Sequence, residues 1–212
     1  MIIKLLGICG SPVKNGNTQA LLEEGLRSVQ QTGQVETDSV SLAGMRVEAC
    51  KHCNWCVRNQ AEDKFCAIED EMESLYAKMI SADGIVIATP VHAGRLSGIM
   101  ANALDRMRVF KYGRVYGGKL AFKVGGGMAV GFVRDGGLEM TLLSLAAFFE
   151  TFEMIIAGKG VTGLTSLNGT GRLKKGVRKM VLEDEYGLRS ARKLCARVVD
   201  LSRRLKGCQI EN

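Results

Sequence analysis

The chain has 212 residues, 46% of them hydrophobic and 24% charged, values ordinary for a globular protein and enough for one domain, residues 1–212, around a sizeable core. Its net charge of +7 gathers late, where residues 159–206 hold thirteen Lys and Arg against four Asp and Glu. That excess suits either a solvated basic surface or attraction for anions; nucleic acid is not an expected partner, because no aromatics interleave with the basic residues and no recognition module is visible.

Strands and helices alternate along the chain. Residues 2–8 form a continuous apolar run with one Lys, which predicts a buried central strand. A glycine-containing loop leads into a helix over 18–31, ended by Gly33, and residues 34–42 alternate as a second strand. A cysteine-rich loop over 50–66 follows. A helix over 70–81 turns Met72, Leu75, Met79 and Ile80 inward. Residues 84–88, GIVIA, predict a third strand that Pro90 ends, followed by a helix over 97–110. Strand four is expected over 119–125, then a glycine loop, a helix over 137–152 and a short fifth strand over 154–157. A basic, glycine-rich stretch without clear structure precedes a last helix over 183–206, with Leu188, Ala191, Leu194, Val198 and Leu205 on one face. This α/β alternation implies a parallel sheet covered by helices on both faces. In that class ligands bind outside the carboxyl ends of the strands, so the loops after strands one, three and four are where function is expected.

Loop one, GICGSPVKNGNTQALL, lacks the glycine spacing of a dinucleotide site and the G-K-[ST] ending of a P-loop. It still suits an anion. Ser11, Asn17 and Thr18 offer side-chain donors, and the following helix opens with free N–H groups and its positive dipole end. A capped helix start with Asn17 as N-cap is the plain alternative. Loop three, ATPVHAGRLSG, can line a flat ligand with its backbone while Ser97 opens the next helix; its His92 is one of two histidines. Loop four, GGGMAVGFVRDGGLE, has glycines at both ends, which suits either close backbone approach to something planar or a flexible surface loop.

Taken together, GSPVKNGNT, TPVHAGRLSGIMANALDR, RDGGLEMTLLSLAAFFETFEMIIAG and EDEYGLRSARKL resemble the NADPH-dependent FMN reductase and iron–sulfur flavoprotein family. The resemblance implies a flavodoxin-like, doubly wound five-stranded parallel sheet in the order 2-1-3-4-5. It implies that Ser11, Asn17 and Thr18 bind the FMN phosphate, that Pro90, Val91, His92 and Ala93 run along the isoalloxazine edge, and that Gly126, Gly127, Gly136 and Gly137 close over the other side. The chain departs from the family pattern at His92, where Tyr is usual, at Ala101 and Asn102, where Lys is common, and at Leu138, where Gln is usual. The family usually forms dimers or tetramers, so a homodimer or homotetramer is expected.

Four of the seven cysteines lie in CKHCNWCVRNQAEDKFC. Cluster-bearing members of the family carry a compact cysteine motif at this place, which implies Cys50, Cys53, Cys56 and Cys66 as metal ligands. C-x2-C-x2-C lets one tight loop reach three irons of a 4Fe–4S cluster; the fourth Cys returns after nine residues, a longer gap than is usual in the family, which closure entropy tolerates because it grows slowly with loop length, and the polar NQAEDK within it suits a surface bulge. A cysteine motif without a cluster and a structural zinc site remain open beside it. Cys9, Cys195 and Cys208 need no function. Trp55, the sole Trp, is expected to pack the loop onto the domain or a partner subunit. No window approaches the roughly 20 apolar residues of a membrane helix. An odd cysteine count argues against a disulfide framework, and a cytoplasmic protein is expected.

The sequence reads as an FMN-dependent oxidoreductase. Either a cluster passes electrons from a ferredoxin-like donor to FMN and a small-molecule acceptor, or NAD(P)H reduces the flavin without a cluster. A non-catalytic redox sensor is a third reading. No side chain stands out as an obligatory acid or base; His92 and Arg134 are the candidates.

Overall fold

A computed structural model describes residues 1–31 and 33–208. β1 (Ile3–Cys9) is buried at every position but Lys4, as a central strand covered on both faces must be. It pairs in parallel with β2 (Val35–Ser41) and with β3 (Gly84–His92). β3 pairs in parallel with β5 (Val124–Gly131), and β5 carries both β6 (Ile155–Ile156) and β7 (Val161–Leu164) along its other edge. The order is therefore β2-β1-β3-β5-β6 in a seven-stranded sheet, with β7 also on β5 and β4 (Arg95–Leu96) returning antiparallel on β3. The flavodoxin-like winding is as expected; the count of five strands is not.

Two apolar layers sandwich the sheet. On one face α1 (Asn17–Gln30) buries Leu21, Leu22, Leu26 and Val29 beside Ala191, Leu194 and Val198 of α7 (Glu185–Gly207). Leu205, expected on that inner face of the last helix, is exposed. On the other face lie α3 (Met72–Ser81), α4 (Gly98–Arg106), α5 (Arg108–Lys111) and α6 (Leu138–Thr151), joined through Leu75, Tyr76, Met100, Phe110, Leu145 and Phe149.

The largest correction concerns strand four, expected over 119–125 but found at Val124–Gly131. Gly125, Gly126 and Gly127 read as a loop because glycine weakens strands. Here they lie in the strand interior because helices press on it. A Cβ at Gly125 would stand 2.5 Å from the Phe149 ring, at Gly126 3.1 Å from Val198, and at Gly127 3.1 Å from Leu145. Pro90 does not end β3 either. The strand runs on to His92 and turns back through Ala93 (φ 49°) and Gly94 (φ 80°) into β4, the two-residue left-handed turn favoured by hairpins. The helix expected over 97–110 breaks at Met107 into α4 and α5. The basic stretch after β6 holds β7 and two short 3₁₀ turns, at Leu167–Gly169 and Met180–Glu183.

Candidate flavin edge and cysteine cavity

Loop one leaves β1 with the Gly10 N–H bonded to Ala88 O of β3 at 2.7 Å. The Ser11 hydroxyl accepts from Val13 N–H at 3.1 Å, which curls the loop back toward α1. Gly16, not Asn17, is the N-cap, and no side chain caps the helix. The Asn17 side-chain oxygen Oδ1 instead accepts from Val181 N–H at 3.0 Å, tying α1 to the turn before α7 and leaving the first-turn N–H groups without a side-chain acceptor. Thr18 is 3% exposed. An uncapped helix start with a buried hydroxyl in its first turn has the dipole and the donors that an anion needs.

Loops three and four meet this edge. Ser97 caps α4 by accepting from Met100 N–H at 3.3 Å, and its hydroxyl donates to Gly10 O at 2.5 Å. One buried hydroxyl thus joins loop one to loop three. Ser97→Ala is expected to cost about 1–2 kcal/mol, read as a lowered urea midpoint; an unchanged midpoint would deny that link. Gly137 (φ 96°) precedes α6, and a Cβ there would lie 2.4 Å from Gly94 O, so loop four closes directly on the β3–β4 turn.

Of the residues singled out by sequence, Ser11, Pro90, Val91, His92, Ala93, Gly136 and Gly137 lie on loops or strand ends at this edge, and Asn17 and Thr18 open α1 beside them. Gly126 and Gly127 do not. Gly127 pairs with Ile87 while Val130 pairs with Pro90, which puts Gly127 about 10 Å below the edge at roughly 3.3 Å per residue. Packing accounts for both glycines. His92 is exposed. Arg134 turns away, donating to Asn168 O at 3.1 Å, and lines a separate groove with Tyr186, Arg189 and Arg192.

The cysteine segment forms the second site. His52 (φ 51°) and Asn54 (φ 57°) are both left-handed, one in each C-x2-C interval, so the chain doubles back twice in seven residues. Cys56 lies buried in the short helix α2 (Trp55–Arg58). The nine residues before Cys66 are taken up by a tight turn, with mutual Ala61–Lys64 backbone bonds of 3.2 and 3.3 Å. Its two legs are anchored inside the domain. Gln60, a polar residue in that turn, is 2% exposed; it donates to Phe65 O and Val109 O and accepts from Val115 and Tyr116 N–H. Phe65 stacks on Tyr116 at 4.1 Å between ring centres and packs on Tyr76. Cys66 is thereby carried back to the other three.

Cys50, Cys53, Cys56 and Cys66 line one cavity together with Ile68, Arg106, Arg108 and Val109. Sequence reasoning missed the residue that frames it. Arg106, 1% exposed, forms an ion pair with fully buried Asp70, with contacts of 2.7 and 3.1 Å, and donates to Glu48 O and Ile68 O. Asp70 accepts in turn from Glu48 and Met72 N–H. Both ends of the cysteine segment therefore hang on one buried pair. Burial works to raise the Asp70 pKa, but the Arg106 and backbone donors outweigh it and hold the carboxyl below its usual range. The available signal was an Arg, the last residue of LDR, on a helix otherwise facing the core.

The Nε–H groups of Arg106 and Arg108 are buried without a partner, and both residues wall the cavity that the four thiols line. Ile68 N–H donates to Cys66 Sγ at 3.5 Å. Burial pushes the Cys56 thiol up, while Arg108 favours its thiolate and Cys66 and Cys50 oppose it. Four thiols with cationic, unpaired donors suit an anionic sulfur-ligated group. The cavity as folded is small, about 20 Å³, and among the described residues no three His, Cys, Asp or Glu are packed for a single metal ion. The donor chemistry carries the fit, not the void. Cys9 and Cys195 are buried elsewhere, with burial pushing their thiols up to about 11 and about 12.

The family model described as NADPH-dependent FMN reductase matches residues 3–167. An iron-sulfur flavoprotein of Methanocaldococcus jannaschii is 34% identical over 205 residues, spanning 96% of this chain and 100% of its own length. An iron-sulfur flavoprotein of Archaeoglobus fulgidus is 32% identical over 206 residues, spanning 96% of this chain and 99% of its own. Among solved structures, RosB with a bound intermediate, 8-demethyl-8-formylriboflavin-5'-phosphate, superposes with a TM-score of 0.75 at 19% identity, over 97% of this chain and 81% of that one. That likeness shows the flavodoxin-like fold.

Proposed function

The chain belongs to the NADPH-dependent FMN reductase and iron–sulfur flavoprotein family and is a flavin-dependent oxidoreductase; from that premise we propose that it pairs FMN at the three-loop edge with a 4Fe–4S cluster on Cys50, Cys53, Cys56 and Cys66. The observation that carries the second half is the single cavity those four cysteines line, with two unpartnered arginine donors in its wall. When bound, FMN supplies one- and two-electron redox chemistry and a cluster supplies one-electron transfer.

The residues divide the remaining work. Thr18, Ser11 and the first-turn N–H groups of α1 would hold the phosphate, with Asn17 fixing that turn through Val181. Pro90, Val91, His92 and Ala93 would lie along the ring edge, and Gly136 and Gly137 would close loop four over it, because Gly137 already abuts Gly94. Gly126 and Gly127 are not part of this proposal. Arg106 and Asp70 would keep the cysteine loop in place. A ferredoxin-like protein or a small molecule, NAD(P)H included, would exchange electrons with this pair of sites.

A flavin-only reductase with free thiols is a second reading, favoured by the small volume of the cysteine cavity. The seven cysteines are all unpaired, which suits a reducing, cytoplasmic setting. Among the described residues no helix is long and apolar enough to cross a membrane. Exposed Met140 and Leu143 on α6 support the homo-oligomer expected of the family.

Thr18→Val tests the phosphate half. It keeps the shape of the side chain and removes its donor, so FMN affinity should fall about tenfold, worth about 1.4 kcal/mol, in a fluorescence titration while riboflavin binding stays unchanged. Equal losses for both ligands, or none, would move the phosphate elsewhere.

A further inference from the structure

Among the described residues, three buried side-chain polar atoms have no hydrogen-bond partner: Arg106 Nε, Arg108 Nε and Thr141 Oγ1. Two of the three belong to residues walling the cysteine cavity. Buried donors are almost always satisfied, so a pair left open beside one cavity marks a place for an acceptor. The other nitrogens of Arg106 are committed, and Arg108 is held at one. Both Nη atoms of Arg106 are bound to Asp70 and to backbone carbonyls. Arg108 donates from Nη2 to Asn54 Oδ1 at 2.6 Å and lies 4.6 Å from the Tyr112 ring centre. No Asp or Glu lines the cavity to take the free donors, and four of its eleven lining residues are cysteines.

We infer that Arg106 and Arg108 donate through Nε–H to the sulfur atoms of the group the four cysteines hold, and that Arg108 thereby raises that group's reduction potential. The inference rests on the cluster reading above and goes beyond it, by naming the residues that set the potential. Reduction adds one negative charge to the group. A fixed cation and a hydrogen bond to sulfur therefore stabilise the reduced form more than the oxidised form. The two arginines differ in how they can be probed. Arg106 also frames the fold through Asp70, whereas Arg108 is half-buried and its one side-chain bond is to Asn54.

The test uses the full chain, purified anaerobically as wild type, R108Q and R108K. Iron and acid-labile sulfide are measured first, and the midpoint potential is then read by EPR-monitored titration. All three proteins should hold equal iron. R108Q should titrate lower by the equivalent of about tenfold in the reduction equilibrium, about 59 mV for a one-electron couple. R108K, which keeps the charge but not the Nε–H, should fall between. A potential unchanged in R108Q overturns the inference. If R108Q alone loses iron, R108K carries the measurement, with a lowered potential in support and an unchanged one against. Loss of iron from both variants would give Arg108 a role in assembly only and would also overturn it. Absence of iron and sulfide from the wild type is a different failure, visible without any mutation, and removes the cluster reading and this inference together.

Discussion

Asp70→Ala should lower folding stability by about 3–5 kcal/mol, because it leaves the Arg106 guanidinium buried and unpaired. The two side chains are 0% and 1% exposed, so bulk solvent does not reach the guanidinium that loses its carboxylate. The loss should not be uniform. Arg106 also holds Glu48 O and Ile68 O, and Asp70 accepts Glu48 N–H, so residues 48–68 should lose amide-exchange protection before the sheet does. The same pair gives a pH signature. Asp70 is held below its usual range, so its contribution is fully present above the unfolded value of about 3.9. It is lost as pH falls through the lower folded value. Asp70→Asn should flatten that part of the acid unfolding profile. An Asn variant with the wild-type acid slope, or an Ala variant within about 1 kcal/mol of wild type, would show that the pair does not hold the segment.

The second large effect is expected at Cys53. This thiol is exposed and lies outside the packed layers, so Cys53→Ala should leave the fold and flavin content unchanged. Iron should drop from about four per chain to a small fraction of that. Cys195→Ala is the matched control, since Cys195 is buried against Gly25 of α1, far from the cavity in sequence and packed in the opposite layer. It should lower stability and keep the iron. Equal iron in both variants would remove Cys53 from the ligand set.

Much of the architecture was legible because its signals are local. The apolar run of β1, the helical stripe of α3 and the glycine-bounded helix α1 each follow from composition over one short window. The misplaced strand shows where local signals fail. Gly125–Gly127 carry no apolar pattern, and only the closeness of Phe149, Val198 and Leu145 explains why glycine is needed in that strand. The extension of β3 past Pro90 was hidden for a related reason. Proline lacks a donor, yet β3 pairs beyond it through Val91 and His92 with a two-residue strand that sequence gives no reason to expect.

The candidate sites divide in the same way. The phosphate loop and the four cysteines are contiguous motifs, so their members could be named in advance. The residues that organise them are distant in sequence. Ser97 reaches Gly10 across 87 positions and Arg106 reaches Asp70 across 36. The nine-residue gap before Cys66 is polar in sequence, yet Gln60 and Phe65 are buried at its base. No periodicity reports such contacts.

Flavin, iron, sulfide and zinc analysis of the anaerobically purified protein decides whether one chain holds both a flavin and a cluster. About one FMN with about four irons and four sulfides per chain, and no stoichiometric zinc, is the expected result. FMN with neither iron nor sulfide would contradict the cluster and leave a flavin-only reductase; absence of flavin, even after incubation with FMN, would contradict the whole.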